Sequence, residues 1–376
     1  MIVCYFGTYL RDYSRNRIII EGLKMNDVEI KECHAELWSN TKERLKEFTG
    51  LTRKLILLKR LFSCYVLLIK RYHQVGDYDV MFVGYTGHFD TFLARFLAGL
   101  RRRPLFFDVF VSLYDTFVDD RQLVSSRSFL GSALRWIDRK SCRLADRVLL
   151  DTNEQIEYFR KNLALTDVKF HRIWVGAEDS LFYPGPERGD DSFTVLFYGS
   201  LIPLQGVEVI LEAAKILETD SDIRFEIVGS GQLSKKVASL AESLNLTNVS
   251  FTEWVDYERL PEKIRESKIC LGIFGNTAKA KRVIPNKVYQ ALATGKPVIT
   301  GDSPAAREAL IHGENAILCE VGEPGRLAEA ILLLKKDPLL RRKIAEAGHS
   351  LFKRRFTTEK IGRMVKGLVS QTITCE

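Results

Sequence analysis

The chain has 376 residues, more than the roughly 100–200 that a single hydrophobic core usually serves, so two domains are expected. With 46% hydrophobic and 28% charged residues and no low-complexity tract, the composition excludes a disordered or fibrous protein. Net charge is +8, and residues 51–150 alone hold 17 Lys and Arg against 9 Asp and Glu. On charge this suits nucleic acid, phospholipid headgroups or a phosphorylated substrate, but no recognition motif or aromatic stacking platform points to a specific nucleic acid.

In the first half, strand-like runs at Ile2–Phe6, Val28–Glu32, Val80–Val83, Leu105–Val111 and Arg147–Leu150 alternate with helical stretches, the pattern of a parallel sheet. Crossover helices then place ligand-binding loops at the carboxyl ends of the strands. Gly7 closes the first strand and leads into a helix start from Arg11 to Asn16. There Arg15 is expected to reach a bound phosphate across an interdomain gap, and Ser14 or Asn16 to cap the helix. Arg53, Lys54, Lys59 and Arg60, then LFSCYVLLI, then Lys70 and Arg71 make an apolar helix with basic flanks. Such a helix either lies on an anionic membrane or is a core helix with snorkelling ends. Its longest apolar run, Leu61 to Ile69, is far below the ~18 residues that span a bilayer. His88, in Tyr85-Thr86-Gly87-His88-Phe89-Asp90, stands at another strand end, where it serves either a sugar hydroxyl or acceptor phosphate, or the structure. Asp108, Ser112 and Asp115 form a third cluster.

Pro184-Gly185-Pro186 and Gly189-Asp190-Asp191 break the rhythm and read as a hinge. Strands are then expected at Thr194–Tyr198, Ile223–Val228, Val249–Phe251, Ile269–Phe274, Pro297–Thr300 and Ala316–Cys319. The loop Gly199-Ser200-Leu201-Ile202-Pro203-Leu204-Gln205-Gly206 runs into a helix at Val207–Leu217, whose free N–H groups and positive dipole end suit an anion; a tight packing turn would use the same glycines. Gly229 and Gly231 follow the next strand, and a flat base has room against the backbone of Trp254 and Val255, unless Trp254 is a plain core aromatic. The stretch GNTAKAKRVIPNKVYQ, from Gly275 to Gln290, is densest in chemistry. Lys279, Lys281 and Arg282 precede Pro285-Asn286-Lys287 at a helix start, an arrangement suited to a departing diphosphate, or else a solvated basic loop. Helical stretches at Gly325–Lys336, Leu339–Ala347 and about Thr358–Gln371 close the chain.

Seven scattered cysteines, never in CxxC spacing, read as small buried hydrophobes in a reducing cytosol. The first residues lack the basic, apolar and small-residue regions of a secretory signal. No DxD pair at a strand end and no acidic cluster points to a metal, so no metal or other cofactor is expected.

The second half resembles the retaining group 1 glycosyltransferases, family 4 of the GT-B fold. The resemblance is carried by FYGSLIPLQGVEVILEAAKIL, VGSGQL, VYQALATGKPVIT and HGENAILCEVGEPGRLAEAI, and more loosely by YFGTYLRDYSRNRIIIEGL and RLADRVLLDT. It implies two Rossmann-like doubly wound α/β domains facing across a cleft: residues 1–183 for the acceptor, a linker at 184–192, residues 193–355 for the nucleotide-sugar, and a terminal helix at 356–376 crossing back to the first domain. By this resemblance nucleotide-sugar binding falls to Gly199, Gly231, Val255, Asn286, Lys287 and Gln290. The loops themselves add Gly7, Arg15, Ser200, Gln205, Trp254, Lys281 and Arg282 as donor-binding candidates, and Lys287, His88 and Asp108 are the catalytic candidates. The chain departs from the family pattern where Ser200 replaces an arginine, Gln205 a lysine, Arg282 and Gln290 two glutamates, and Phe110 a histidine. The implied activity is metal-independent transfer of a sugar, with retention, to a glycan or lipid-linked acceptor, in the cytoplasm or on the inner face of the membrane with peripheral contact to anionic lipid. A nucleotide-sugar epimerase and a non-catalytic binding protein are the alternatives.

Overall fold

The computed structural model describes residues 1–37, 51–186 and 192–374, with 51–58 as backbone alone. The chain forms two compact units. The first comprises Met1–Val118, Leu123–Trp174 and Thr358–Glu376; the second comprises Asp119–Gln122 and Val175–Thr357.

The first unit holds a parallel sheet of β1 (Ile2–Gly7), β2 (Glu29–His34), β3 (Val80–Val83), β4 (Leu105–Asp108), β5 (Arg147–Leu150) and β6 (Phe170–Arg172), in the order β2-β1-β3-β4-β5-β6. Every residue of β3 and β4 is buried, as expected of strands covered on both faces, and this is why they read as unbroken apolar runs. The run expected to reach Val111 stops at Asp108, because Phe110 turns the backbone with φ of 52°. The edge strand β6 is three residues long and lacks an apolar run, so no strand was expected there.

Its helices are α1 (Ser14–Lys24), α2 (Leu51–Gln74), α3 (Asp90–Leu100), α4 (Phe129–Leu144) and α5 (Asn153–Asn162), with the terminal helix Thr358–Thr374. Leu68, Tyr72, Leu97, Cys142 and Phe159 of α2 to α5 pack on Cys4, Phe6 and Phe107 of the sheet. Right-handed crossovers put α1 on the opposite face. There it meets the terminal helix so closely that a Cβ on Gly362 would stand 1.9 Å from the Gly22 carbonyl.

The second unit repeats the design with β7 (Phe193–Tyr198), β8 (Ile223–Val228), β9 (Val249–Thr252), β10 (Ile269–Leu271), β11 (Val298–Gly301) and β12 (Ile317–Cys319), all parallel in the order β12-β11-β10-β7-β8-β9. The helices are α6 (Val207–Ile216), α7 (Ser234–Ser243), α8 (Leu260–Glu266), α9 (Asn286–Ala293), α10 (Pro304–Arg307), α11 (Pro324–Lys336) and α12 (Pro338–Arg355). Strand β10 ends earlier than its apolar run because the Phe274 N–H leaves the sheet to donate to the Gln205 carbonyl at 3.0 Å. With β7 between β8 and β10, the direction of the sheet order switches at β7, and ligands bind parallel sheets at the carboxyl ends beside such a switch.

The first unit ends at Trp174 rather than at residue 183. From Val175 the chain packs within the second unit: the Ala177 N–H donates to the Phe356 carbonyl, and Phe182 meets Tyr257 edge-on at 5.5 Å. Of the expected linker, residues 187–191 lie outside the described residues. Six cysteines are free and buried; Cys375 lies outside the described residues. Among the described residues no helix is long and apolar enough to cross a membrane.

Candidate functional site

In the second unit the loop after β7 opens on Gly199, with φ of 139°. A Cβ there would stand 3.2 Å from the Lys287 Nζ, so only glycine leaves the approach to that ammonium open. The loop then forms a 3₁₀ turn at Pro203–Gln205, and Gly206, in the left-handed region, starts α6 without a side-chain cap. Gly229, φ 147°, closes β8 so tightly on this loop that a Cβ would fall 1.9 Å from the Gly199 carbonyl.

Lys287 enters from the first turn of α9, with Pro285 in the N-cap position. It is only 5% exposed. Its Nζ donates to Gln205 Oε1 at 2.6 Å and sits 3.6 Å from the centre of the Phe197 ring. Burial pushes its pKa well below the ordinary lysine value, and among the described residues no carboxylate pairs with it. Taking an ammonium out of water costs several kcal/mol unless an anion returns the energy. This buried lysine, held by an amide oxygen and a ring face, stands at the mouth of a glycine loop and beside a helix start, surroundings whose free N–H groups favour negative charge.

The structure brings Gly199, Gln205 and Lys287 together. Asn286 and Arg282 are half-buried nearby in sequence, whereas Ser200, Gly231 and Lys281 are exposed; the Gly231 N–H donates to Ser234 Oγ at 2.8 Å. Trp254 is exposed rather than core, its indole N–H 3.3 Å from Asp256, with Val255 half-buried beside it. Gln290 is buried and donates to the Tyr257 hydroxyl at 3.3 Å, which itself donates to Glu178 at 2.6 Å. Neither Tyr257 nor Glu178 stands in a motif, so sequence reasoning missed both.

Several first-unit residues have other roles than expected. Arg15 is fully buried and forms a double contact with Asp108 at 2.7 and 2.8 Å, while its Nη1 donates to the Ile173 and Trp174 carbonyls. That guanidinium is committed to holding β4, α1 and the end of the unit together, not to a phosphate. The helix cap expected from Ser14 or Asn16 is absent: Tyr13 occupies the N-cap position, and Asn16 donates to the Leu10 and Tyr85 carbonyls. His88 is buried, with Nε2 3.3 Å from an Asp138 carboxylate oxygen. Asp138 also collects Ser112 Oγ and the N–H groups of Leu113 and Tyr114; in the middle of α4 it carries no sequence signal. Gly7 packs on Asp90, whose carboxylate accepts from the Thr8 N–H at 2.6 Å. A Cβ at Gly7 would stand 2.5 Å from that carboxylate.

At the carboxyl ends of β1 and β2 a cavity of about 510 Å³ is lined by Arg11, Asp12, His34, Glu36, Leu67 and Arg71, with Tyr9 at its side. His34 Nδ1 lies 3.0 Å from the Gly7 carbonyl. Burial and the Arg11 charge push its imidazole down to about 4, so it is neutral at pH 7, donating to that carbonyl through Nδ1. The Tyr9 hydroxyl and Arg11 both reach Glu32. Two cations and two carboxylates in planar groups, with one leucine, suit a hydroxyl-rich ligand better than an apolar one.

The second unit is thus a doubly wound α/β domain that carries a glycine loop, a helix start and a buried lysine at its switch point. Residues 184–351, within the second unit but for its ends, match the family described as glycosyl transferases group 1. Among curated proteins the chain is 27% identical over 195 residues to an uncharacterized glycosyltransferase of Methanocaldococcus jannaschii, covering 50% of each chain. It is 23% identical over 246 residues to the alpha-D-kanosaminyltransferase of Streptomyces kanamyceticus, 62% of each, and 29% identical over 167 residues to the phosphatidyl-myo-inositol mannosyltransferase of Mycobacterium leprae, 43% of this chain and 42% of that one. The chain thus spans about half the length of the curated relatives it matches. Among solved structures, HepE of Anabaena in complex with UDP matches with a TM-score of 0.69 at 16% identity, covering 98% of this chain and 99% of that one. Sucrose-phosphate synthase from Thermosynechococcus elongatus matches with a TM-score of 0.74 at 16% identity, over 100% and 99%. Both units together therefore have the fold of the GT-B glycosyltransferases.

Proposed function

We propose that this protein transfers a sugar from a nucleotide-linked donor to an acceptor hydroxyl, with retention of the anomeric configuration and without a metal. The observation that supports this most is Lys287, a buried ammonium with an amide and a ring for neighbours and no carboxylate. A donor diphosphate at the Gly199 loop supplies the missing anion. As the bond from the anomeric carbon to the diphosphate oxygen breaks, negative charge grows on that oxygen, and Lys287 with the α6 and α9 starts stabilises it. The acceptor oxygen bonds to the same carbon from the face being vacated, and its proton passes to the departing phosphate oxygen. No covalent protein nucleophile is required.

The acceptor is assigned to the first unit, where the cavity between Arg11, His34, Glu36 and Arg71 offers donors and acceptors for a glycan or the sugar headgroup of a lipid-linked acceptor. A lipid-linked acceptor would bring the protein to the cytoplasmic face of a membrane. UDP is bound by the Anabaena structural neighbour, which makes UDP-sugars the first donors to test.

The test is a panel of nucleotide-sugars incubated with glycan and lipid-linked acceptors, read by mass spectrometry, with the anomeric configuration of the product read by NMR and EDTA present in one arm. Transfer that survives EDTA is expected. Conversion of donor without acceptor would instead show an epimerase, and tight nucleotide binding with no turnover would show a binding protein.

A further inference from the structure

Three neighbouring helices of the first unit, α2, α3 and α4, turn large apolar side chains toward solvent. On α2 Phe62 is 72% exposed and Val66 and Ile69 lie in the same stripe; on α3 Phe96 and Leu100 are 64% and 68% exposed; at the start of α4 Phe129 is 91% exposed, with Trp136 two turns on. The helices adjoin: the Tyr72 hydroxyl on α2 donates to the Leu97 carbonyl on α3 at 2.9 Å, and Phe92 on α3 stacks with Trp136 on α4 at 5.9 Å. Spacings of three or four residues, 62-66-69 and 96-100, keep each stripe on one side of its helix.

Scattered exposed leucines are ordinary, but a shared apolar face is not. Moreover, α1 and the terminal helix, on the other face of the same sheet, have no large exposed hydrophobic residue. The charge pattern matches this asymmetry. The three helices contain two carboxylates, Asp90 and Asp138, and both are buried. Among the cations, Lys59, Arg60 and Lys70 on α2 and Lys140 on α4 are exposed, and Arg102 follows α3. A face that is apolar and cationic, with no outward carboxylate, complements a surface that is apolar beneath an anionic layer.

We infer that α2, α3 and α4 form a docking face for an anionic lipid bilayer, with Phe62, Phe96 and Phe129 entering the headgroup boundary and the lysines and arginines meeting the phosphates. The contact is peripheral. It is read by binding alone, so its outcome is separate from that of the transfer reaction.

The full chain is sedimented with vesicles of phosphatidylcholine alone and with vesicles containing about one-third phosphatidylglycerol. Two variants, Phe62→Glu with Phe96→Glu and Lys59→Glu with Lys70→Glu, change exposed positions only, and unaltered melting temperatures confirm that they fold. Binding to the anionic vesicles is expected to exceed binding to the neutral ones by at least ~10-fold, and each variant to lose about tenfold. Equal binding to both vesicles, no binding, or variants that bind like the parent overturns the inference. So does light scattering that shows a dimer dissociated by the phenylalanine variant, since a second copy of the chain would then be the occupant.

Discussion

The Nζ of Lys287 and the Oε1 of Gln205 stand 2.6 Å apart and make a charge–dipole contact where a buried lysine would ordinarily hold a carboxylate. An amide oxygen satisfies one of the three ammonium protons without neutralising the charge. The pair thus keeps the lysine in place and leaves its electrostatic demand unmet.

Lys287→Met keeps the volume of the side chain and removes the charge. Turnover is expected to fall by at least ~100-fold, and titration calorimetry with UDP should show weakened binding. Gln205→Glu places a carboxylate against the ammonium and is expected to weaken nucleotide binding too, because the demand is then met from within. If the Glu variant bound UDP as tightly as the parent, the anion-site reading of Lys287 would be wrong.

Burial lowers the Lys287 pKa, so the fold disfavours its charged form. The group contributes stability above the pKa of an unfolded lysine and loses it as pH falls through the lowered folded value. Lys287→Met should therefore raise the melting temperature of the nucleotide-free protein at neutral pH. Nucleotide binding, by supplying an anion, should raise the Lys287 pKa again. Calorimetry in two buffers of different ionisation enthalpy, stepped in pH between neutral and the ordinary lysine value, should reveal proton uptake by the parent that exceeds that of the Met variant.

Asp90 titrates in a different window. Burial raises its carboxyl to about 6 against the usual 3.8, despite the bonds from Thr8. A raised folded pKa means stability that is fully present below the unfolded value and lost as pH rises through 6. Asp90→Asn keeps an oxygen for the Thr8 N–H and never ionises. It is expected to be more stable than the parent above pH 6, with the difference closing between 6 and 4. Urea unfolding at stepped pH measures this, and a constant difference across that range would count against it.

The Arg15–Asp108 pair yields a contrasting prediction. Asp108→Ala leaves a fully buried guanidinium without its partner and should cost about 3–5 kcal/mol of stability. UDP affinity at a temperature where the variant remains folded should not change. A large loss of affinity in folded protein would return Arg15 to the role of a phosphate contact.

The sheets were legible because strands covered on both faces are continuous apolar runs bounded by glycine or proline, as at Val80–Val83 before Gly84 and Leu105–Phe107 after Pro104. Strand ends were harder to place: Phe110 and Phe274 are as apolar as the residues before them, and only a positive φ or an outgoing N–H bond removes them from the sheet. Glycine loops and the α9 start were visible from local spacing, so Gly199 and Lys287 could be found. The destination of Arg15 was not. Its partner is 93 residues away, and nothing in RDYSRN separates a guanidinium aimed at a ligand from one aimed at Asp108. Glu178, Tyr257, Asp90 and Asp138 escaped for the same reason, since each matters through a contact distant in sequence.

The glycine pair Gly22 and Gly362 has a temporal consequence. Helix α1 precedes the second unit in the chain, yet the surface it presents around Gly22 is shaped for a helix that begins at Thr358. Asn26 is held there by the Glu359 carbonyl and receives Lys366 at its own carbonyl. On the ribosome, the first unit therefore waits for the whole of the second to be translated before its own last helix can arrive.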